Sequence, residues 1–290
     1  MIVVIGHNGQ LAWELRRLIP ESVCLGRKDI DLQCEASLEG VLSQYQPTAI
    51  INAAAYTAVD KAEQEVEQAK YLNDEVVANL VAYCESHKVH LVHVSTDYVF
   101  AGDKGSPYLP TDDLEPLGIY GQTKASGERH VAKLANQGCI IRTSWVYSEH
   151  GNNFVKSMLS LMSKRDNLGI VSDQIGSPTW ARDLAKACLE AATNHYTGIY
   201  HWTDLGVASW YDFAYAVFEI GSELGLLNNE ISLSAIRTED YPTPAARPKY
   251  SVLDKYDTQN KFKQTQMHHW RKQLIRMLTE LKENSSDAGK

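Results

Sequence analysis

The sequence predicts an α/β protein built on a doubly wound parallel sheet, with a smaller C-terminal lobe interleaved with it. Three observations predict this. Short, continuously apolar runs bounded by turn residues recur through the first two thirds of the chain, stretches long enough for helices separate them, and a glycine-bearing turn directly follows the first run. Runs that are apolar at every position belong to strands covered on both faces, and helical crossovers between such strands make them parallel.

The first run is Ile2 to Ile5, followed by Gly6-His7-Asn8-Gly9-Gln10-Leu11-Ala12 and a helical stretch from Trp13 to Leu18. A second, Ser22 to Leu25, leads into Gly26-Arg27-Lys28-Asp29-Ile30-Asp31-Leu32, and a third, Ala49 to Asn52, into Ala53-Ala54-Ala55-Tyr56-Thr57. Val76, Val77, Leu80, Val81 and Cys84 recur at intervals of three and four, an amphipathic stripe that fits a helix lying on the sheet. The fourth run, Val89 to Val94, ends in Ser95-Thr96-Asp97; a helix then starts near Tyr120 and runs toward Arg129, before a fifth strand at Cys139 to Arg142. From Asn152 the pattern is mixed. A helix passes through Met158 and Leu161, a strand covers Leu168 to Val171, a helix follows Pro178, and a short run spans Ile199 to Trp202. Leu226 to Tyr256, rich in Pro, Thr and Arg, reads as a loop-built pocket wall; a helix resumes near His269 to Leu281, and the polar tail from Glu283 to Lys290 is expected to fray.

Bulk properties exclude several classes. With 290 residues and a formal charge of −8, the chain lacks the excess of Lys and Arg that a nucleic-acid-binding face needs. No run approaches the roughly 18 apolar residues of a membrane span. The start reads straight into a strand, without a basic leader. Five cysteines, odd in number and without a Cys-x-x-Cys pair, argue against disulfides and zinc and read as small core hydrophobes, which suits a reducing cytoplasm. The ten histidines show no ligand spacing, so metal ligands are not assigned.

A strand, a glycine turn and a helix in that order suit a dinucleotide. Its pyrophosphate needs free N–H groups at a helix N-terminus and a backbone it can approach closely, which Gly6 and Gly9 would permit. Ala12 stands where a third glycine is common, and a tight turn with no ligand is the alternative. This assigns residues 1–150, extended by parts of 168–205, to a Rossmann-like dinucleotide-binding domain, and 151–290 mainly to a substrate lobe. Beyond the second strand, Arg27 and Lys28 can pair with a 2′-phosphate, favouring NADPH, with NADH as the alternative; exposed surface charge is the plainer reading.

Tyr120 and Lys124 are four residues apart, one turn along one helical face. An ammonium beside a phenol favours the ionised phenol, so Lys124 is expected to lower the Tyr120 pKa. Ser95 and Thr96 end a strand at its carboxyl edge, where open α/β sheets bind ligands, and Thr96 can hydrogen-bond a substrate oxygen. The small residues Ala53 to Ala55 leave space for a flat ring against the backbone.

With these segments, Arg142-Thr143-Ser144-Trp145-Val146-Tyr147, Gly151-Asn152-Asn153-Phe154, Asp173-Gln174-Ile175-Gly176-Ser177-Pro178-Thr179 and Tyr241-Pro242-Thr243-Pro244-Ala245-Ala246-Arg247-Pro248 complete a pattern covering nearly the whole chain. The chain resembles the extended short-chain dehydrogenase/reductase family, and within it the reductases of dTDP-linked 4-keto-6-deoxy sugars. The resemblance implies hydride transfer from NADPH or NADH to the C4 ketone of dTDP-4-dehydro-L-rhamnose, in nucleotide-sugar synthesis for cell-surface polysaccharide. It implies Thr96, Tyr120 and Lys124 as catalytic residues. Cofactor contacts would come from Gly6, Gly9, Gln10, Leu11, Arg27, Asp31, Leu32, Ala53, Ala55, Tyr56 and Thr57, together with Tyr120 and Lys124. Thr96, Asp97, Trp145, Asn153 and Arg247 would touch the sugar nucleotide. Ala246 departs from the family, which often has a second Arg there. Some relatives hold Mg2+ at a homodimer contact, and no carboxylate cluster in this sequence supports one. Two alternatives stay open: a reductase or epimerase of another nucleotide-linked 4-keto sugar, and a non-catalytic regulatory subunit similar to methionine adenosyltransferase β.

Overall fold

The computed structural model describes residues 1–32 and 34–287. Its central sheet is formed by β1 (Ile2–Ile5), β2 (Val23–Leu25), β3 (Ala49–Asn52), β4 (His90–Thr96), β5 (Gly138–Thr143) and β6 (Gly198–His201). All pairings are parallel, in the order β6-β5-β4-β3-β1-β2.

Alternate residues of each strand point to opposite faces, and both faces are covered, which is why the strands read as unbroken apolar runs. Val3, Ile5, Ile50, Leu91 and Ile140 pack against α2 (Glu35–Tyr45) and α3 (Val76–His87), the latter presenting the predicted stripe of Val76, Val77, Leu80, Val81 and Cys84. Val4, Ile51, Val92 and Ile141 pack on the other side against Leu11 and Leu15 of α1 (Gln10–Leu18) and Leu184, Ala185 and Cys188 of α6 (Ala181–Thr193). Strand order reverses between β1 and β3. Their carboxyl ends therefore diverge into a crevice, the position at which doubly wound sheets bind ligands.

A third cluster forms the smaller lobe. It joins Val155 and Met158 of α5 (Phe154–Met162), Phe213 and Val217 of α7 (Trp210–Glu223), and Leu274 and Leu278 of α8 (Trp270–Asp287). α4 (Ile119–Val131) lies over β4 near the crevice.

Several boundaries differ from expectation. β4 runs two residues past the apolar run, so that Ser95 and Thr96 are its last two residues. The strand at Asn167–Val171 stands outside the central sheet, pairing in parallel with Ser232–Ile236 inside the stretch read as loop. Flanking polar residues conceal that second strand, whose Leu233 reaches the small lobe's core. Cys34 is exposed and is not a core residue. The last helix continues to Asp287 instead of fraying at Glu283, and residues 288–290 of the polar tail lie outside the described residues. No helix among the described residues is long and apolar enough to cross a membrane.

Candidate active site

The glycine turn sits at the mouth of the crevice. Gly6 has φ +127°, and a Cβ there would lie 3.2 Å from the carbonyl carbon of Ala53, so both conformation and clearance require glycine. Gly9 caps α1 and differs in kind: a Cβ there would meet nothing within 4 Å, so no protein atom explains it. The α1 N-terminus has no side-chain cap and no acidic residue in its first turn, leaving its N–H groups available to an anion. These features fit a dinucleotide pyrophosphate. Gln10 faces sideways: its amide donates to the Val146 carbonyl (3.3 Å) and its oxygen accepts from Asn153 (2.9 Å). Leu11 packs into the core beneath.

Across the crevice, Ala53 N–H bonds to the Ile5 carbonyl (2.9 Å), bringing the ends of β1 and β3 together. The segment Ala53 to Thr57 is then held by Asn73, a buried residue in a π-helical turn (Tyr71–Glu75). Its carboxamide accepts from Tyr56 N–H (2.9 Å) and donates to the Tyr56 carbonyl and the Thr123 hydroxyl (both 3.1 Å). Beyond β2, Arg27 and Asp31 are exposed, and both act electrostatically on the Tyr71 phenol, which places them around one spot. Leu32 is buried and its carbonyl accepts from Asn79 (3.2 Å).

Tyr120 lies in the first turn of α4, held close by two glycines. A Cβ on Gly121 would fall 2.2 Å from the Tyr98 carbonyl oxygen, and one on Gly127 2.3 Å from the Asn73 carbonyl oxygen. The Tyr98 ring meets the Tyr120 ring edge-on at 5.6 Å. Burial pushes the Tyr120 phenol up to about 12, with its hydrogen-bonding interaction with Thr96 working in the opposite direction. This corrects the expected lowering by Lys124. The lysine is turned onto the strand instead, its Nζ donating to the Val94 carbonyl (2.8 Å) and lying 3.3 Å from His93 Nε2, and burial pulls its pKa down to about 8. The phenol is thus kept protonated, the state a proton donor must start from.

On the small-lobe side the expected sugar contacts divide. Thr96 and Asp97 lie beside Tyr120: the Thr96 hydroxyl donates to the Asp97 carboxylate (3.0 Å), and Asp97 is buried with its pKa pushed up to about 6 by desolvation. Trp145 takes a left-handed conformation at φ +48° and stacks on Trp210 with centroids 3.6 Å apart. Asn153 is committed elsewhere. It caps α5 by accepting from Lys156 N–H (3.1 Å), and its two N–H groups go to Gln10 and to the Ser148 carbonyl (2.6 Å). Arg247 makes a fork to Asp60 (3.0 and 2.8 Å), with further bonds to Thr243 and the Ala245 carbonyl, so it ties residues 243–247 to the short helix Val59–Ala62 that follows Thr57. Among the described residues no group of three His, Cys, Asp or Glu side chains is placed to hold a metal ion.

Comparison with known proteins agrees with this architecture. The family model described as "RmlD substrate binding domain" matches residues 1–283. The chain is 40% identical over 272 residues to the dTDP-4-dehydrorhamnose reductase of Aggregatibacter actinomycetemcomitans, covering 90% of this chain and 92% of that one. It belongs to the dTDP-4-dehydrorhamnose reductase (RmlD) family. Among solved family members, the Clostridium acetobutylicum protein superposes with a TM-score of 0.90 at 34% identity, covering 97% of this chain and all of the other. The Bacillus anthracis member, solved in complex with NADP, gives 0.89 at 34% identity over 96% of this chain and 98% of its own.

Within this family frame, three contributors escaped the sequence reading. Asn73 and His93 touch the Tyr120–Lys124 helix or its lysine directly and belong to no recognisable spacing, while Gly121 lets that helix approach Tyr98. Gly121, lying inside the Tyr-x-x-x-Lys pattern, carried the one available signal: a glycine inside a helix asks for a close neighbour.

Proposed function

We propose that the protein reduces the C4 ketone of dTDP-4-dehydro-L-rhamnose to give dTDP-L-rhamnose, using NADPH. One observation carries the assignment of roles: a half-buried Tyr120 beside the Thr96 hydroxyl, at the carboxyl edge of the sheet and on the same crevice as the glycine turn, its phenol held in the protonated form by desolvation. Family membership and the NADP complex of the Bacillus anthracis relative support the substrate and cofactor.

In this reading Gly6, Gly9 and the first N–H groups of α1 bind the pyrophosphate, with Gln10 and Leu11 shaping the turn. Arg27 meets the 2′-phosphate from its exposed position, while Asp31 and Leu32 border the adenosine side. Ala53, Ala55, Tyr56 and Thr57 form the floor under the nicotinamide half. NADPH, when bound, supplies the hydride. Thr96 orients the ketone oxygen, Tyr120 gives its proton to the developing alkoxide, and Lys124 holds the ribose and exchanges protons. Asp97 and Trp145 flank the sugar, an indole face suiting its apolar side. Asn153 and Arg247 act by fixing Gln10 and the short helix Val59–Ala62. Residues 1–150, completed by α6 and β6, carry the dinucleotide, and the remainder carries the sugar nucleotide.

The test is NADPH absorbance with enzymatically prepared dTDP-4-dehydro-L-rhamnose, followed by identification of the sugar formed. Tyr120→Phe is expected to bind NADPH as before and to lose on the order of 10²-fold or more in turnover. Wild-type turnover in that variant would remove Tyr120 as the proton donor.

A further inference from the structure

Asn52 and His93 are register partners on β3 and β4, directly under Lys124. All three side chains are at most 2% exposed, so each hydrogen bond among them is made without water. The Ala54 N–H donates to Asn52 Oδ1 (3.1 Å). A backbone N–H can only donate, so the Asn52 carboxamide has one workable orientation, with its NH2 toward His93 Nδ1 at 3.1 Å. Nδ1 must then accept. The imidazole is fully buried and held neutral by desolvation. Its single proton is therefore on Nε2, which faces Lys124 Nζ at 3.3 Å.

That leaves Nζ to accept. An amine has a lone pair to offer to the Nε2–H, whereas an ammonium has three donors and no acceptor. One of the amine's two hydrogens serves the Val94 carbonyl at 2.8 Å. From these contacts we infer that Asn52 and His93 are positioning residues: they form a hydrogen-bond chain of fixed direction, from Ala54 N–H to Lys124, that favours the lysine as a neutral amine over an ammonium.

The other charged and titratable groups near this lysine do not share that preference. Glu128, one turn further along α4, favours the ammonium, but it is itself clamped by Arg142 from β5 at 2.7 Å. Tyr120 on the lysine's own helix is protonated, and Asp97 acts on the Tyr120 phenol. Asn52 contributes no charge. The chain's effect is to bring the lysine's proton affinity toward neutral pH, where a group that restores protons to Tyr120 works best.

The direction of the chain is measurable apart from catalysis. In 15N-histidine-labelled protein, His93 is expected as the Nε2–H tautomer; finding Nδ1–H overturns the inference. Asn52→Asp replaces the donor NH2 with a carboxylate oxygen, which accepts from His93 Nδ1–H and reverses the chain. In that variant the tautomer is expected to switch, and the Lys124 titration midpoint, followed by 13C NMR at Cε, to rise by on the order of one pH unit or more. The alkaline limb of kcat should rise with it. A tautomer that switches while the lysine midpoint stays put overturns the inference. Should Asn52→Asp fail to fold, the wild-type tautomer decides alone. The kinetic arm rests on the reductase reading; absence of NADPH oxidation would sink that reading and leave the NMR result standing.

Discussion

Asp97 is a carboxylic acid in a place that disfavours its charge. It is 1% exposed, and desolvation raises its pKa from 3.8 to about 6. Because the folded state binds this proton more tightly than the unfolded chain, the ionised carboxylate weakens the fold above pH 6, and the effect disappears as pH falls toward 4. Asp97→Asn is therefore expected to raise stability at pH 8 by on the order of 2 kcal/mol and to change little at pH 4. Thermal unfolding at the two pH values checks this. An equal shift at both would mean that the carboxylate's charge is not the cause. Turnover is expected to fall in the same variant if Asp97 flanks the sugar as proposed, a destabilising group being kept where function needs it. At this scale the sequence was legible as to position: Thr96, Tyr120 and Lys124 come together at the carboxyl edge of the sheet, as their spacing predicts. It was illegible where a side chain's role depends on who else is present. Asn153 looks available in sequence and is fully engaged by Gln10, Ser148 and Lys156. The Asn52–His93 pair is separated by 41 residues and meets only through strand register.

Among the elements, α4 is the one whose placement matters most for the chemistry. Two glycines let it approach Tyr98 and Asn73 within contact that no Cβ could share. Gly121→Ala puts a methyl group onto a carbonyl oxygen, which neither the Tyr98 backbone nor the helix can avoid without moving. That variant is expected to lose on the order of 2–3 kcal/mol of stability by overpacking, and to lose turnover beyond what the stability loss explains, since Tyr120 is the adjacent residue. Urea denaturation and kcat at saturating NADPH measure the two; a stable, fully active variant would show that α4 has freedom the packing denies. The central strands were readable because burial on both faces makes every position apolar. Ser232–Ile236 was not: with one partner strand and one covered face, it leaves little trace in composition.

For the whole molecule, the seam between the sheet and the small lobe is held by a buried ionic cluster. Arg182 at the start of α6 reaches Glu14 of α1 (3.1 Å), Glu149 (2.6 Å) and Glu280 of α8. Burial and the nearby Glu149 both raise the Glu14 pKa, so the guanidinium is what makes the arrangement tolerable. Removing one partner of a buried pair leaves an uncompensated charge, and Arg182→Met is expected to cost about 3–5 kcal/mol. Adding Glu14→Gln should return part of that loss; a measured cost under 1 kcal/mol in urea would mean that the cluster is dispensable. No sequence pattern announces such a cluster, because its members come from four distant segments. The interleaving itself has a consequence for synthesis. Strand β6 and helix α6 close the sheet's edge and cover one of its faces, yet both are encoded after α5 of the small lobe. A nascent chain that has emerged only as far as residue 150 exposes the open side of Gly138–Thr143 and the apolar surface that α6 will shield, a state prone to pairing with other chains. The ribosome must deliver residues 181–201 before the half built on the central sheet can finish folding.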